Sequence, residues 1–361
     1  LKRDLKILVS NVEIPSVKLG SWNNRISVLI QNDPEFFDFI LSPGDSIPQK
    51  NVVCVKRKWI TYHPFFYDFQ LGNWVAKDFI RAVQKLGKGV KSIKLVVMDD
   101  LVLCEALASL KYKMSCPIEL IFSYHGHQLQ LPERFGHKID KVFFLTNLGY
   151  LESMAVNKIF SPEVFIVGNG VKSDLFFPLG TKQKLQLKKE MGFEPEDELV
   201  VWMANARPAK GLHIFLKVIE KLGEMYPKLK FIIIGNTGEI NTGNAKIYQI
   251  GKVSHDRLST YLQISDYYFF TSLWKEGFGL SLVEAIKCGL KVLTSINGGI
   301  EEVIEGSKGV LKVNEPNKVQ AWVESFEKLR EMEFEVLSNE ELNNFHNYEN
   351  WELKFKSAIE A

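Results

Sequence analysis

Short runs of consecutive apolar residues alternate along this chain with longer stretches in which apolar residues recur every three or four positions. The short runs include Lys6–Ser10, Phe37–Leu41, Val52–Val55, Lys94–Met98, Glu119–Ser123, Lys141–Thr146 and Val164–Val167. Continuous rather than alternating hydrophobicity predicts strands buried on both faces. The helical period runs through Trp74–Leu86 and Leu101–Lys111. A second series starts at strand Leu199–Met203 and continues through helix Leu212–Met225, strand Lys230–Ile234, helix Asp256–Gln263, strand Tyr267–Thr271, helix Leu280–Cys288 and strand Lys291–Thr294. The tail, Lys318–Leu329 and Glu340–Ile359, reads as amphipathic helix.

Strand–helix alternation predicts an α/β fold with parallel sheets covered on both faces. Between the two series lies Gly168-Asn-Gly-Val171, with Phe177-Pro178 soon after, which is turn chemistry and a hinge candidate. The expected organisation is an N-terminal Rossmann-like domain over 1–170, a C-terminal Rossmann-like domain over 171–335, and a C-terminal helix over 336–361 that packs back on the first domain. Two doubly wound domains facing across a cleft would place a ligand at the carboxyl ends of the strands.

The length of 361 residues suits two domains. Formal net charge is +2, from 45 basic and 43 acidic residues, which gives no reason to expect a nucleic-acid partner. Cys54, Cys104, Cys116 and Cys288 form no C-x-x-C pair, so a disulfide framework or zinc site is not expected and a reducing cytoplasm is. The opening apolar run is too short for a signal peptide, and no apolar stretch approaches the ~20 residues needed to cross a bilayer.

One segment carries chemistry. Glu276 and Glu284 are separated by seven residues, with Gly277, Phe278 and Gly279 after the first and a helical pattern from Leu280 onward. Strand, glycine-bearing loop and helix N-terminus follow in that order. Amides of a first helical turn hold a diphosphate well, and glycines let it approach. A carboxylate accepts two hydroxyl hydrogen bonds, so sugar and ribose hydroxyls are natural targets for the two glutamates. For an isolated glutamate pair, a solvated surface would be the default reading; the flanking pattern argues for ligand binding.

Residues 265–304, from Ser265-Asp-Tyr-Tyr through the glutamate pair to Asn297-Gly-Gly-Ile-Glu-Glu-Val-Ile304, resemble the signature region of family 4 retaining glycosyltransferases. The resemblance extends more weakly over most of the chain. It implies the GT-B fold, in which two Rossmann-like domains face each other across a cleft. It implies that Glu276 contacts the donor sugar, that Glu284 binds the nucleotide ribose, and that the backbone of Phe278, Gly279 and Leu280 lies along the sugar and diphosphate.

The same resemblance assigns an arginine and a lysine after the first strand of the C-terminal domain to the diphosphate, here Arg207 and Lys210 in Asn205-Ala-Arg-Pro-Ala-Lys-Gly211. Their spacing is shorter than the family's and Ala206 stands where a glycine is usual; a surface ion pair is the other reading of Arg207. It assigns a histidine after an N-terminal strand to the donor sugar, here His125 in Phe122-Ser-Tyr-His-Gly-His127, against the plainer reading of a loop histidine. The family's glycine-rich first loop is replaced by Lys18-Leu-Gly20-Ser21-Trp22-Asn-Asn-Arg25, where Gly20 and Ser21 are the phosphate or acceptor candidates. Trp22 is a sugar platform or a core residue.

No D-x-D pair is present, Asp99 and Asp100 being adjacent. Neither metal nor cofactor is expected. The activity implied is transfer of a sugar from a nucleoside diphosphate to an acceptor hydroxyl with retention, in glycan or surface-polysaccharide synthesis. The partners implied are a nucleotide-sugar donor and a glycan or lipid-linked acceptor. A sugar-nucleotide 2-epimerase of the same fold and a non-catalytic component of a glycan assembly complex are the alternatives. Lys56-Arg-Lys58-Trp59, Tyr62, Phe65, Phe66 and Tyr67, followed by Lys77, Arg81, Lys85, Lys88 and Lys91, suit either peripheral contact with the inner face of a membrane or a solvated helix face above core aromatics.

Overall fold

The computed structural model describes residues 3–14, 21–43, 51–56, 72–205, 207–238, 240 and 245–361. The chain forms two compact units, one made of Leu1–Gly168 with Glu352–Ala361 and the other of Asn169–Trp351.

The first unit is built on strands β1 (Asp4–Ser10), β2 (Phe39–Ser42), β3 (Val52–Cys54), β4 (Ser92–Met98), β5 (Ile118–Ser123), β6 (Lys141–Phe144) and β7 (Glu163–Ile166). Among the described residues they form one sheet in the order β3-β2-β1-β4-β5-β6-β7, with every pairing parallel. Its helices are α1 (Ser21–Asn32), α2 (Gly72–Val75), α3 (Lys77–Leu86), α4 (Leu101–Ala108), α5 (Glu133–Gly136) and α6 (Asn147–Val156). The strands read as apolar runs because both faces are covered. Ile7, Leu95, Val97 and Leu120 pack toward Phe79, Val83, Leu103 and Leu107 in one core, and each is fully buried. Each such side chain stabilises the fold by roughly 1.5–3 kcal/mol relative to exposure.

The second unit carries helix α7 (Thr181–Glu190), then strands β8 (Glu198–Met203), β9 (Leu229–Ile234), β10 (Ile247–Gly251), β11 (Tyr267–Phe270), β12 (Lys291–Ser295) and β13 (Val310–Val313). Their order is β10-β9-β8-β11-β12-β13, again parallel throughout. Helices α8 (Leu212–Met225), α9 (His255–Ile264), α10 (Leu280–Lys287), α11 (Ile300–Val303), α12 (Val319–Glu331) and α13 (Asn339–Asn344) complete it. Trp202, Phe215, Phe269, Trp322 and Phe326 fill one core. Phe269 stacks on Trp322 at 6.0 Å and meets Phe215 edge-on at 5.8 Å.

The last helix, α14 (Tyr348–Glu360), starts in the second unit and ends in the first. Within the first unit, the Lys94 ammonium donates to its final carbonyls, Ile359 O at 2.6 Å and Glu360 O at 2.8 Å. A cation there satisfies orphan carbonyls and complements the helix dipole.

Three expectations change. The tail Glu340–Ile359 is two helices, broken where His346 takes a φ of 43° and Asn347 bridges Val171; the amphipathic period survives the break, so periodicity alone does not show it. The Trp74–Leu86 helix is interrupted at Ala76. Ser21–Arg25 is the first turn of α1, where the sequence suggested a loop. Strands β10 and β13 were not anticipated. Their residues are half exposed at sheet edges and carry Gln249 and Lys312, so they lack a buried strand's apolar run. All four cysteines are free. Among the described residues, no helix is long and apolar enough to cross a membrane.

Candidate active site

In both units the chain order reverses direction across the sheet, between β1 and β4 and between β8 and β11. Loops leaving adjacent strands diverge there, which opens a crevice at the strands' carboxyl ends. In the second unit the two loops are Ala204–Gly211 after β8 and Thr271–Gly279 after β11.

These loops are pinned to each other. The Thr271 hydroxyl accepts from Trp202 Nε1 at 2.9 Å and donates toward the Lys210 and Gly211 carbonyls at 3.2 and 3.0 Å. Leu273 N–H donates to Ala209 O at 2.8 Å. Gly211 has a φ of 75°, and a Cβ on it would lie 1.9 Å from the Thr271 carbonyl oxygen. Only glycine fits this crossing. Lys210 is thereby held against the β11 loop, at the end of a 3₁₀ turn over Pro208–Lys210.

The crossing brings Lys210 Nζ to 2.6 Å from Glu276 Oε1. The Ser272 hydroxyl donates to the same oxygen and also accepts from Trp274 N–H at 3.3 Å. Ser272 is held in turn: its carbonyl accepts from Ser295 Oγ and from Asn297 Nδ2 at 3.0 Å. The Glu276 backbone bridges Gly298, with Gly299 N–H donating to Glu276 O at 2.8 Å. Gly298 has a φ of 72°, and a Cβ on it would lie 2.4 Å from Glu276 O. Glu276 is only 8% exposed, so its charge is held by a cation and a hydroxyl rather than by bulk water.

Gly279 is the N-cap of α10, and no side chain caps this end; the same is true of Gly211 at α8. Two uncapped helix starts from adjacent strands direct positive partial charge to one edge of the sheet. Phe278 is buried edge-on against the His346 ring at 4.9 Å, so its side chain anchors the loop while its backbone, with Gly277, Gly279 and Leu280, leads into the helix. Glu284 lies one turn into α10 and is 7% exposed. Tyr268 reaches the same turn, its hydroxyl 2.9 Å from Ser281 Oγ. Burial, reinforced by the charges of Glu284 and Glu276, holds the Tyr268 phenol well above its ordinary pKa against the Ser281 bond that lowers it.

Arg207 sits on the same loop as Lys210 and is exposed; its backbone N–H donates to Asn205 Oδ1 at 3.3 Å, and among the described residues its guanidinium pairs with no carboxylate. Gly20 lies outside the described residues, and Ser21 opens α1. Lys77, Arg81, Lys85, Lys88 and Lys91 are exposed on α3 and the turn after it, whereas Trp59, Tyr62, Phe65, Phe66 and Tyr67 lie outside the described residues.

The first unit gathers His125, Asp99, Trp22 and Ser123 near its own switch point. His125 N–H donates to Asp99 Oδ1 at 2.9 Å, its Nε2 lies 3.1 Å from Ser123 Oγ, and its ring meets Trp22 at 5.4 Å. Burial, reinforced by the buried Arg25 of α1, lowers the His125 pKa to about 3. The imidazole is therefore neutral at physiological pH. Asp99 adopts a φ of 46°, and burial, then the neighbouring Asp100, hold its carboxyl up at about 6 against the His125 amide bond that lowers it. His127 is buried with Nε2 3.2 Å from a Glu152 carboxylate oxygen, an interior position beneath the loop.

Sequence reasoning missed Ser272, Thr271, Asn297 and Ser295, which hold the glutamate and the lysine in place. A signal existed. Ser10, Ser42, Ser123, Thr271, Ser272 and Ser295 are buried hydroxyl residues at or just past the carboxyl ends of strands. In apolar strands those positions report hydrogen bonds to loops.

A glycine-cornered lysine, a buried glutamate paired with it and an uncapped helix start follow one another along 207–287. Residues 183–349 match the model of the glycosyl transferases group 1 family. Curated relatives agree. The phosphatidylinositol N-acetylglucosaminyltransferase GPI3 subunit of Saccharomyces cerevisiae is 29% identical over 181 residues, covering 46% of this chain and 38% of that protein. The D-inositol 3-phosphate glycosyltransferase of Jonesia denitrificans is 26% identical over 180 residues, covering 44% and 41%. The match thus spans less than half the length of these relatives. Among solved structures, sucrose-phosphate synthase from Thermosynechococcus elongatus has a TM-score of 0.75 at 14% identity, covering 99% of this chain and 98% of that one. A glycosyltransferase from Rickettsia africae has a TM-score of 0.70 at 16% identity, with the same coverage. The two parallel-sheet, Rossmann-like units are those of the GT-B fold. Residues 183–349 thus resemble the group 1 glycosyl transferases, and the solved structures show the fold alone.

Proposed function

We propose that this chain is a retaining glycosyltransferase, moving a sugar from a nucleoside diphosphate to an acceptor hydroxyl without a metal ion. The observation that carries the reading is the pairing of Lys210 with the buried Glu276 beside the uncapped start of α10, with Glu284 one turn further on. Lys210 and the α10 amides neutralise the diphosphate as charge develops on it, and Arg207 adds a second cation from the same loop. Glu276 accepts hydrogen bonds from sugar hydroxyls, and Glu284 from the ribose diol. Within the first unit, His125 is uncharged, which suits it to a polar contact with a sugar hydroxyl rather than to acid catalysis.

Retention follows a front-face route in which the departing phosphate oxygen takes the acceptor proton while the glycosidic bond forms. Glu276 positions the sugar and is not the nucleophile, since its Oε1 is already shared by Lys210 and Ser272. Curated relatives include a phosphatidylinositol N-acetylglucosaminyltransferase component and a D-inositol 3-phosphate glycosyltransferase. Inositol hydroxyls, free or lipid-linked, are therefore the first acceptor class to test. Glycan acceptors of surface-polysaccharide synthesis, at the cytoplasmic face of a membrane, are the second.

The experiment is a thermal-shift screen with UDP-, GDP- and ADP-sugars, because a ligand that binds only the folded state raises its apparent stability. One donor class should raise the melting temperature, and product formed from it with an acceptor should keep the donor's anomeric configuration by NMR. Absence of a shift with every donor, or an inverted product, overturns the reading. Conversion of donor alone into an isomeric sugar nucleotide would identify an epimerase instead.

A further inference from the structure

We infer that the Lys210–Glu276 pair discriminates the intact sugar donor from the spent nucleoside diphosphate and drives the latter's release. The inference rests on the donor-site reading above and assigns that site a task beyond binding.

The two groups compensate each other. Nζ and Oε1 are 2.6 Å apart, the lysine side chain is 23% exposed and the glutamate side chain 11%. Among the described residues, the other side chain bonded to the Glu276 carboxylate is Ser272, a neutral donor on the same oxygen. Any diphosphate that takes Lys210 draws this cation from a buried carboxylate and brings negative charge toward it. A buried charge stripped of its partner is costly.

The cost differs between the two ligands. An intact donor carries sugar hydroxyls, which donate to Glu276 as Lys210 turns to the phosphates, so both members of the pair are satisfied. A nucleoside diphosphate offers Lys210 its phosphates and offers Glu276 no donor. Glu276 then competes with the nucleotide for Lys210. Once the sugar has been transferred, that competition returns and weakens product binding.

The geometry is built to sustain this exchange. Glu276 cannot swing away from Lys210, because its backbone bridges Gly298 and its carboxylate is held by Ser272. The Lys210 backbone is fixed in place, because Gly211 is clamped on Thr271, so only its side chain can turn between carboxylate and phosphates. Relief must come from a ligand that serves both groups.

The test is isothermal titration of the full chain, wild type and Glu276→Gln, with two probe pairs and no acceptor: UDP with UDP-glucose, and GDP with GDP-mannose. The variant should bind the sugar-free nucleotide roughly 10- to 100-fold more tightly than wild type, the scale of a freed charged hydrogen bond. Its preference for the sugar-bearing partner should fall. An unchanged or weaker affinity for the sugar-free nucleotide, in a variant that melts as wild type does, overturns the inference while leaving the donor-site reading standing. Failure of wild type to bind these pairs, and ADP with ADP-glucose as well, overturns both. Glu276→Ala provides the second variant, with the same expected direction, should the glutamine form fail to fold.

Discussion

Gly211 and Thr271 cross so closely that a methyl group on the glycine would lie 1.9 Å from the threonine carbonyl oxygen. This contact joins the loops that follow β8 and β11 and sets the position of Lys210. Gly211→Ala should lower stability by roughly 2–4 kcal/mol, combining left-handed backbone strain with overpacking. Urea denaturation measures the loss. Donor binding should weaken more in this variant than in a surface control, since Lys210 is displaced along with the corner.

Removing the cation tests the chemistry at a cost to stability. Lys210→Ala leaves the buried Glu276 carboxylate without its cation, so it should lower the melting temperature. At a temperature where the variant is folded it should lower turnover by ~10²–10³, the scale of one preorganised charge-stabilising contact. Steady-state kinetics with the donor selected by thermal shift decide it. Near-normal turnover would remove Lys210 from the diphosphate.

Glu284 has a different task. Glu284→Gln should weaken binding of the nucleotide by about tenfold or more, the loss of charged hydrogen bonds to a diol. Its effect should be nearly equal for nucleotide with and without sugar. That equality distinguishes it from Glu276, whose replacement lowers the preference for the sugar-bearing nucleotide.

Acid stability reports on His125. Its folded-state pKa of about 3 lies below the ordinary 6.5, so between those values the unfolded chain binds the extra proton. Stability from this residue is present above pH 6.5 and is lost as pH falls toward 3. Asp99 acts oppositely: its carboxyl is raised from 3.8 to about 6, so its contribution is present below pH 3.8 and lost as pH rises through 6. Melting curves from pH 7 to pH 4 should therefore fall less steeply for His125→Asn than for wild type. An identical slope would mean that the imidazole titrates normally.

Much of this was readable along the chain. Apolar runs located most strands because a parallel sheet buried on both faces leaves no polar alternation. Glu276, Gly277, Gly279, Glu284 and Lys210 were legible because turn glycines and a helix start at fixed spacing are local features. Ser272, Asn297 and Gly298 were not, because what they do is defined by partners 4 to 25 residues away in sequence. Edge strands β10 and β13 were missed for the converse reason: half-exposed positions need not be apolar.

The sequence by itself determined two Rossmann-like units and the segment from Glu276 to Glu284. Those follow from periodicity, turn residues and short-range spacing, which are properties of neighbouring residues. Only the tertiary structure decided that Lys210 and Glu276, 66 residues apart, share a hydrogen bond at 2.6 Å, and that a serine shares the same oxygen. The physical reason is the strand order: β8 and β11 are distant in sequence but adjacent in the sheet. Their loops can meet only after the sheet has formed, and the meeting turns two separate charges into one coupled pair.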